Sequence, residues 1–375
     1  MLRREFIKSL AGSLVLFQSA SYANIKSNHS NKKIIWIVLR GAYDSLHTLV
    51  PRKNEDLTKL RPNLYNHIKH DLLVLNNEFG LHPSLKHMHK WYKDKELLPI
   101  TCVGTGFTNR SHFDGQDFLE SGLNTIDADS GWLARAIDAK HTQALAIARS
   151  TPISLRSSNK VNTWFPTKFK ESHADTYDAL LKLYQYDELL MSRLQSGIEL
   201  QNKVGKSNIK RGRFSDLAKS CANLMVKDNS IDCAMLELGG WDTHNNQNAR
   251  LARQLTLLDD GLSELKTALG KQWQDTVVIV ASEFGRTVKQ NGTLGTDHGT
   301  GSALFLAGGA VNGGQVLGKW PGLKTEQLFE QRDLMPTSNT FSWIANVLEQ
   351  HWGLTPQQLQ SVLPNAQRLV DKVII

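Results

Sequence analysis

Six short, largely apolar and β-favouring stretches recur along the chain, at 34–39, 97–103, 144–148, 231–238, 276–281 and 303–307. Runs of this kind suit strands buried on both faces of a parallel sheet, because a strand with one wet face would alternate polar and apolar. Between them lie segments with helical periodicity, at 83–92, 114–122, 249–269 and 339–351. Alternation of the two patterns predicts an α/β fold, a mostly parallel sheet sandwiched by helices. The chain has 375 residues, enough for one large α/β domain or two small ones. Its 40% apolar and 21% charged content is that of a globular protein.

One stretch breaks the alternation. Residues 155–230 read as a helical cap insertion, laid over the sheet edge or over a site. Within it 172–202 reads as one long amphipathic helix, with Leu180, Leu183, Tyr184, Leu190, Leu194 and Ile198 at helical spacing. The net charge is +8, and the one basic cluster is Lys203, Lys206, Lys210, Arg211, Arg213 and Lys219. It lacks the basic-aromatic interleaving that single-strand binders use, so it reads as a solvated loop face and the chain as one with no nucleic-acid partner. Cys102, Cys221 and Cys233 are too few for a disulfide framework and form no C-x-x-C pair, so buried free thiols are expected.

The beginning of the chain, Leu2-Arg3-Arg4-Glu5-Phe6-Ile7-Lys8, pairs two arginines ahead of a short apolar run at 10–17, with small residues at Ser21 and Ala23. These parts in this order read as a twin-arginine signal peptide, 1–23, followed by a tether, 24–32, and a domain, 33–375. The reading makes the protein periplasmic or otherwise exported, with the twin-arginine export machinery as a partner. No later run approaches the roughly 20 apolar residues of a transmembrane helix, so no membrane span is expected in the mature chain.

Ligands of parallel sheets bind beyond the carboxyl ends of the strands. Carboxylates and imidazoles cluster there: Arg40 to Ser45 after the first run, Arg110-Ser111-His112-Phe113-Asp114 after the second, Gly240 to His244, Ser282 to Thr287, and Gly295 to Gly301. Asp242 and His244 are two apart, so an extended segment turns both to one side, where one metal ion would meet them. Glu283 and His298 offer further O and N ligands, a set that suits zinc, manganese or iron. A lone aspartate at a strand end is also a common cap or turn former. Ser111 reads two ways, as a nucleophile at a helix start or as that helix's N-cap. Arg110 and Arg286 read as clamps for an oxyanion or as salt-bridge arginines. His112 is ambiguous. No serine-hydrolase elbow, dinucleotide fingerprint or Walker loop is present.

Together the blocks Arg40-Gly41-Ala42-Tyr43-Asp44, Arg110 to Asp117, Gly240-Trp241-Asp242-Thr243-His244, Ser282 to Thr287 and Gly295-Thr296-Asp297-His298-Gly299 resemble an exported bacterial family, domain of unknown function 1501, over residues 34–364. That family resembles the alkaline-phosphatase-like superfamily of phosphatases, sulfatases and phosphoglycerate mutases. The resemblance implies an alkaline-phosphatase-like fold and roles by position. Asp44 matches a first-strand metal aspartate, Ser111 the nucleophile, Asp242 and His244 a pair on one metal, Glu283 the aspartate of an Asp-His pair, and His298 a late metal histidine. Phe284 stands where a second histidine belongs, and Asp242 and His244 are closely spaced. One ion, an altered pair, or a site that has lost its metal are the arrangements left. The function implied is hydrolysis or transfer of a phosphate or sulfate ester, on a small-molecule or glycan substrate, with one or two divalent ions, zinc or manganese. The alternative is a non-catalytic envelope binding or assembly protein that retains the fold.

Overall fold

In the computed structural model, residues 32–166, 174–204 and 212–375 are described. The leader and most of the tether therefore lie outside the described residues. Eleven strands occur among these: β1 Lys33–Arg40, β2 Leu49–Pro51, β3 Leu73–Val74, β4 Phe79–Leu81, β5 Leu97–Gly104, β6 Gln143–Ile147, β7 Val161–Trp164, β8 Ile231–Gly239, β9 Thr276–Ala281, β10 Ser302–Ala307 and β11 Ser338–Asn339. All six apolar runs are strands of one eight-stranded sheet, ordered β11-β5-β10-β9-β1-β8-β6-β7. Its pairs are parallel except those of β10, which is antiparallel to both β5 and β9. A small antiparallel sheet, β2-β4-β3, stands beside it.

The central strand explains the two-sided core. Along β1, Ile34, Trp36 and Val38 enter one apolar layer, while Ile35, Ile37 and Leu39 enter the other. Helices His112–Ser121, Trp132–Lys140 and Thr340–Val347 cover the first layer, where Trp36 meets Trp132 edge-on at 5.3 Å. Helices Lys86–Lys93, Phe214–Lys227 and Gln247–Leu269 cover the second. The expected sandwich of helices about a mostly parallel sheet is what forms.

The region 155–230 differs from one continuous helical segment. β7 is the sheet's edge strand, paired parallel with β6. The helix expected over 172–202 is two helices, Ala174–Leu183 and Glu188–Val204. Asp187 separates them: its carboxylate accepts the Leu190 amide at 2.9 Å and so starts a new helix. Residues 167–173 and 205–211 lie outside the described residues. The three cysteines are buried and free. Among the described residues no helix is long and apolar enough to cross a membrane.

A candidate metal centre

Strands β1, β5, β8 and β9 run in one direction and end at one rim of the sheet. β10, running oppositely, begins there. The loops 41–44, 105–111, 240–246, 282–287 and 295–301 are thereby brought to the same edge. Gly41 permits one close approach. Its φ of 119° is left-handed territory, and a Cβ there would lie 2.8 Å from the Asp242 backbone nitrogen. Gly41→Ala should therefore cost about 1–3 kcal/mol in backbone strain and push the Asp242 loop outward. A lowered melting temperature together with weaker metal uptake would register both effects.

Asp242 Oδ1 is the focus of the rim. Arg286 Nη2 lies 2.5 Å from it, His244 Nε2 2.9 Å, His298 Nε2 3.3 Å and His112 Nε2 3.4 Å. Each imidazole is held from behind by its other nitrogen. His112 Nδ1 meets Glu283 Oε1 at 2.8 Å, His298 Nδ1 meets the Arg110 carbonyl at 2.9 Å, and His244 Nδ1 meets Asp297 Oδ1 at 3.1 Å. A carbonyl or an ionised carboxylate only accepts, so each Nδ1 carries a proton. Three Nε2 atoms thus converge on one carboxylate oxygen. His244 and His298 bring their Nε2 atoms within 3.0 Å of each other. His112 Nε2 is buried with no hydrogen-bond partner.

Ionisation follows the same geometry. Burial works to raise Asp242, but the Arg286 hydrogen bond and charge overcome it and hold the carboxyl at about 2. Burial likewise opposes ionisation of Glu283, and His112 and Ser282 bring its pKa below the ordinary value. The Glu283 hydrogen bond raises His112, while burial lowers His298. A carboxylate behind an imidazole makes it a stronger donor and fixes its ring, which is the outer arrangement that metal-binding histidines need.

Not every residue singled out in the sequence enters this focus. His112, Asp242 and His298 place their ligand atoms within 4.8 Å of one another. His244 reaches the same carboxylate oxygen. Asp44 does not join them: it is 1% exposed, and its Oδ2 is bound by Arg61 Nη1 at 2.6 Å and Gln247 Nε2 at 2.5 Å. Glu283 does not join them either. Its Oε1 accepts from the Gly41 and Ala42 amides, His112 and Gln116, and its Oε2 accepts from Ser282, so it stands behind His112. The Arg110 guanidinium turns to Glu330 and Asp333, and only its carbonyl serves the cluster. Arg286 is buried and committed to Asp242 and the carbonyls of Gly41, Ala42 and Thr296. Neither arginine is a free clamp for an anion. Ser111 is the N-cap residue of helix His112–Ser121 by position, yet its side chain caps no amide. Phe284, in place of a histidine, stacks on the His112 ring at 5.2 Å and 16°.

The histidine that the sequence left ambiguous is thus central. His112 occupies the first helical position after Ser111, and that phase turns its ring toward Glu283 and Asp242. Its place in the same block as Ser111 was the one signal available.

A family model described as "Protein of unknown function (DUF1501)" matches residues 31–363. No curated protein matches the sequence. Among solved structures, the phosphonate monoester hydrolase from Silicibacter pomeroyi aligns with TM-score 0.44 at 9% identity, over 90% of this chain and 76% of that one. The alkaline phosphatase of the Antarctic bacterium TAB5 gives 0.37 at 13%, over 74% and 90%. The C-terminal periplasmic domain of EcEptC from Escherichia coli, in complex with zinc, gives 0.38 at 10%, over 76% and 75%. Likeness this distant carries no argument about what the rim does.

Proposed function

This chain belongs to the DUF1501 family of proteins of unknown function, and we propose that it is an exported, divalent-metal-dependent hydrolase or transferase of phosphate or sulfate esters. One observation carries the reading: three imidazoles, each fixed through Nδ1, aim their Nε2 atoms at one carboxylate oxygen. With a divalent cation bound, neutral imidazoles would turn their Nε2 lone pairs to it beside the carboxylate, a set of nitrogen and oxygen ligands that fits zinc, and the orphaned His112 Nε2 would acquire a partner. His112, Asp242 and His298 would hold the ion, with His244 beside them. A divalent ion there supplies a Lewis acid for an ester oxygen and acidifies a neighbouring hydroxyl.

The chain's own groups suit the remaining tasks. Ser111 adjoins His112, and its hydroxyl is not consumed in capping. Its oxygen would bond to phosphorus or sulfur as the bond to the leaving alcohol breaks, and water would then release the acid from the serine. The first turn of helix His112–Ser121 offers amide N–H groups and the positive end of the helix dipole to the developing anion. The paired arginines at positions 3 and 4 support export.

The test is elemental analysis of the exported protein with turnover of p-nitrophenyl phosphate and sulfate. Stoichiometric metal should be found. Ser111→Ala should lower kcat by more than about 10³-fold while metal content stays unchanged. Metal-free protein, inert on both esters, would end the proposal. A second reading, a metal-holding envelope protein without turnover, has one observation in its favour: Arg110 and Arg286 are both neutralised by carboxylates. Stoichiometric metal with no hydrolysis would select it.

A further inference from the structure

Beneath the rim, Gln247 at the start of helix Gln247–Leu269 is wholly buried. Its amide touches three elements. Nε2 donates to Asp44 Oδ2 at 2.5 Å, and Oε1 accepts the hydroxyls of Thr243 at 3.0 Å and Thr296 at 2.7 Å. The orientation of the amide is forced, since an ionised carboxylate accepts only and Nε2 must face it. Both threonines are fully buried.

The two hydroxyls belong to the two ligand-bearing loops. Thr243 lies between Asp242 and His244. In an extended segment neighbours project to opposite sides, and the exposures follow: the side chains of Asp242 and His244 are 45% and 41% exposed, while Thr243 is 0%. Anchoring Thr243 inward therefore sets the outward direction of both neighbours. Thr296 is two residues before His298, and its amide also donates to the Thr243 carbonyl at 3.3 Å. Asp44, on the opposite side of the glutamine, is fixed by Arg61, whose other nitrogens hold the carbonyls of Thr287 and Val288 at 2.7 Å. Thr287 in turn pairs with Asp297 in both directions, at 2.9 and 3.1 Å.

We propose that Gln247 is a positioning residue for the metal centre, a buried staple that joins the Asp242–His244 loop to the Asp297–His298 loop through Thr243 and Thr296, with Asp44 as its anchor. This rests on the reading of the rim as a metal centre. The staple holds the separation between Asp242 Oδ1 and the Nε2 atoms of His244 and His298. It explains why a carboxylate as well placed as Asp44 is not itself a ligand: it secures the loops that carry the ligands.

The experiment compares isosteric variants by zinc affinity, through competition with a chelating indicator, and by the visible d–d spectrum of cobalt(II)-loaded protein. Circular dichroism and thermal unfolding in chelator confirm that each variant is folded. Gln247→Leu and Thr243→Val should weaken zinc binding about 10–100-fold and alter the cobalt band, whereas Thr243→Ser, which keeps the hydroxyl, should stay within about threefold of wild type. Should Gln247→Leu fail to fold, the Val and Ser pair at position 243 decides the matter. Wild-type affinity and an unchanged cobalt spectrum in folded Thr243→Val would overturn the staple and leave the metal centre standing. Wild-type protein that takes up no zinc would overturn both.

Discussion

Asp242→Ala should purify without metal. The substitution removes the oxygen on which His112, His244 and His298 converge. Loss of an outer partner alone costs metal sites about 10–100-fold in affinity, so loss of this oxygen should exceed about 100-fold. Turnover of any ester substrate should vanish with it. Arg286 complicates the alanine variant, because its buried guanidinium loses the carboxylate 2.5 Å away. Asp242→Asn keeps a neutral acceptor there and separates metal loss from misfolding. Zinc at 100 times its Kd should stabilise the wild type by about 2.7 kcal/mol, and a chelator should remove that increment. Thermal unfolding of Asp242→Asn should be indifferent to both additions. Equal metal content in Asp242→Asn and wild type would refute a role for this carboxylate as ligand.

Much of this was legible from residues alone, and the misses have physical reasons. Strands β1, β5, β6, β8, β9 and β10 are largely apolar runs because both faces of the sheet are covered. β7 reads VNTW and β11 spans two polar residues, so neither leaves such a trace. The break at Asp187 was invisible because apolar spacing continues through it, while the cap that starts the second helix is a single side chain. At the rim, loop position alone brought Asp242, His244 and His298 together. It did not separate the residues that converge on Asp242 Oδ1 from the groups that hold them. Glu283 and Asp44 have the right chemistry, but their lone pairs are taken by partners remote in sequence, His112 and Arg61. Arg61 belongs to no motif, and its pairing with Asp44 exists only once the small sheet and its helices fold against the rim.

That pairing makes Arg61→Met the largest expected loss of stability. Arg61 and Asp44 are 0% and 1% exposed at 2.6 Å, so removing the cation strands a carboxylate in the interior. Breaking a buried pair from one side typically costs about 3–5 kcal/mol. Two carbonyls, those of Thr287 and Val288, also lose their donors. The dependence on pH has a definite sign. In the wild type, burial works to raise Asp44, but the Arg61 charge, helped by His47, brings it below 3.8. Its contribution is therefore complete above the unfolded value and is lost as pH falls through the lower folded one. In Arg61→Met burial is left to dominate and the folded pKa moves above the unfolded value. The folded state then binds the extra proton, so the deficit is greatest near neutrality and narrows in acid, by about 1.4 kcal/mol for each unit of upward shift. Urea unfolding of both proteins at pH 7.5 and pH 4.5 measures this directly. A deficit that is small at pH 7.5, or that widens at pH 4.5, would show that the Asp44 carboxylate finds other compensation. Asp44→Leu combined with Arg61→Met should recover part of the loss, because it replaces the stranded carboxylate by apolar volume, although the Thr287 and Val288 carbonyls still lack their donors and the staple at Gln247 loses its anchor.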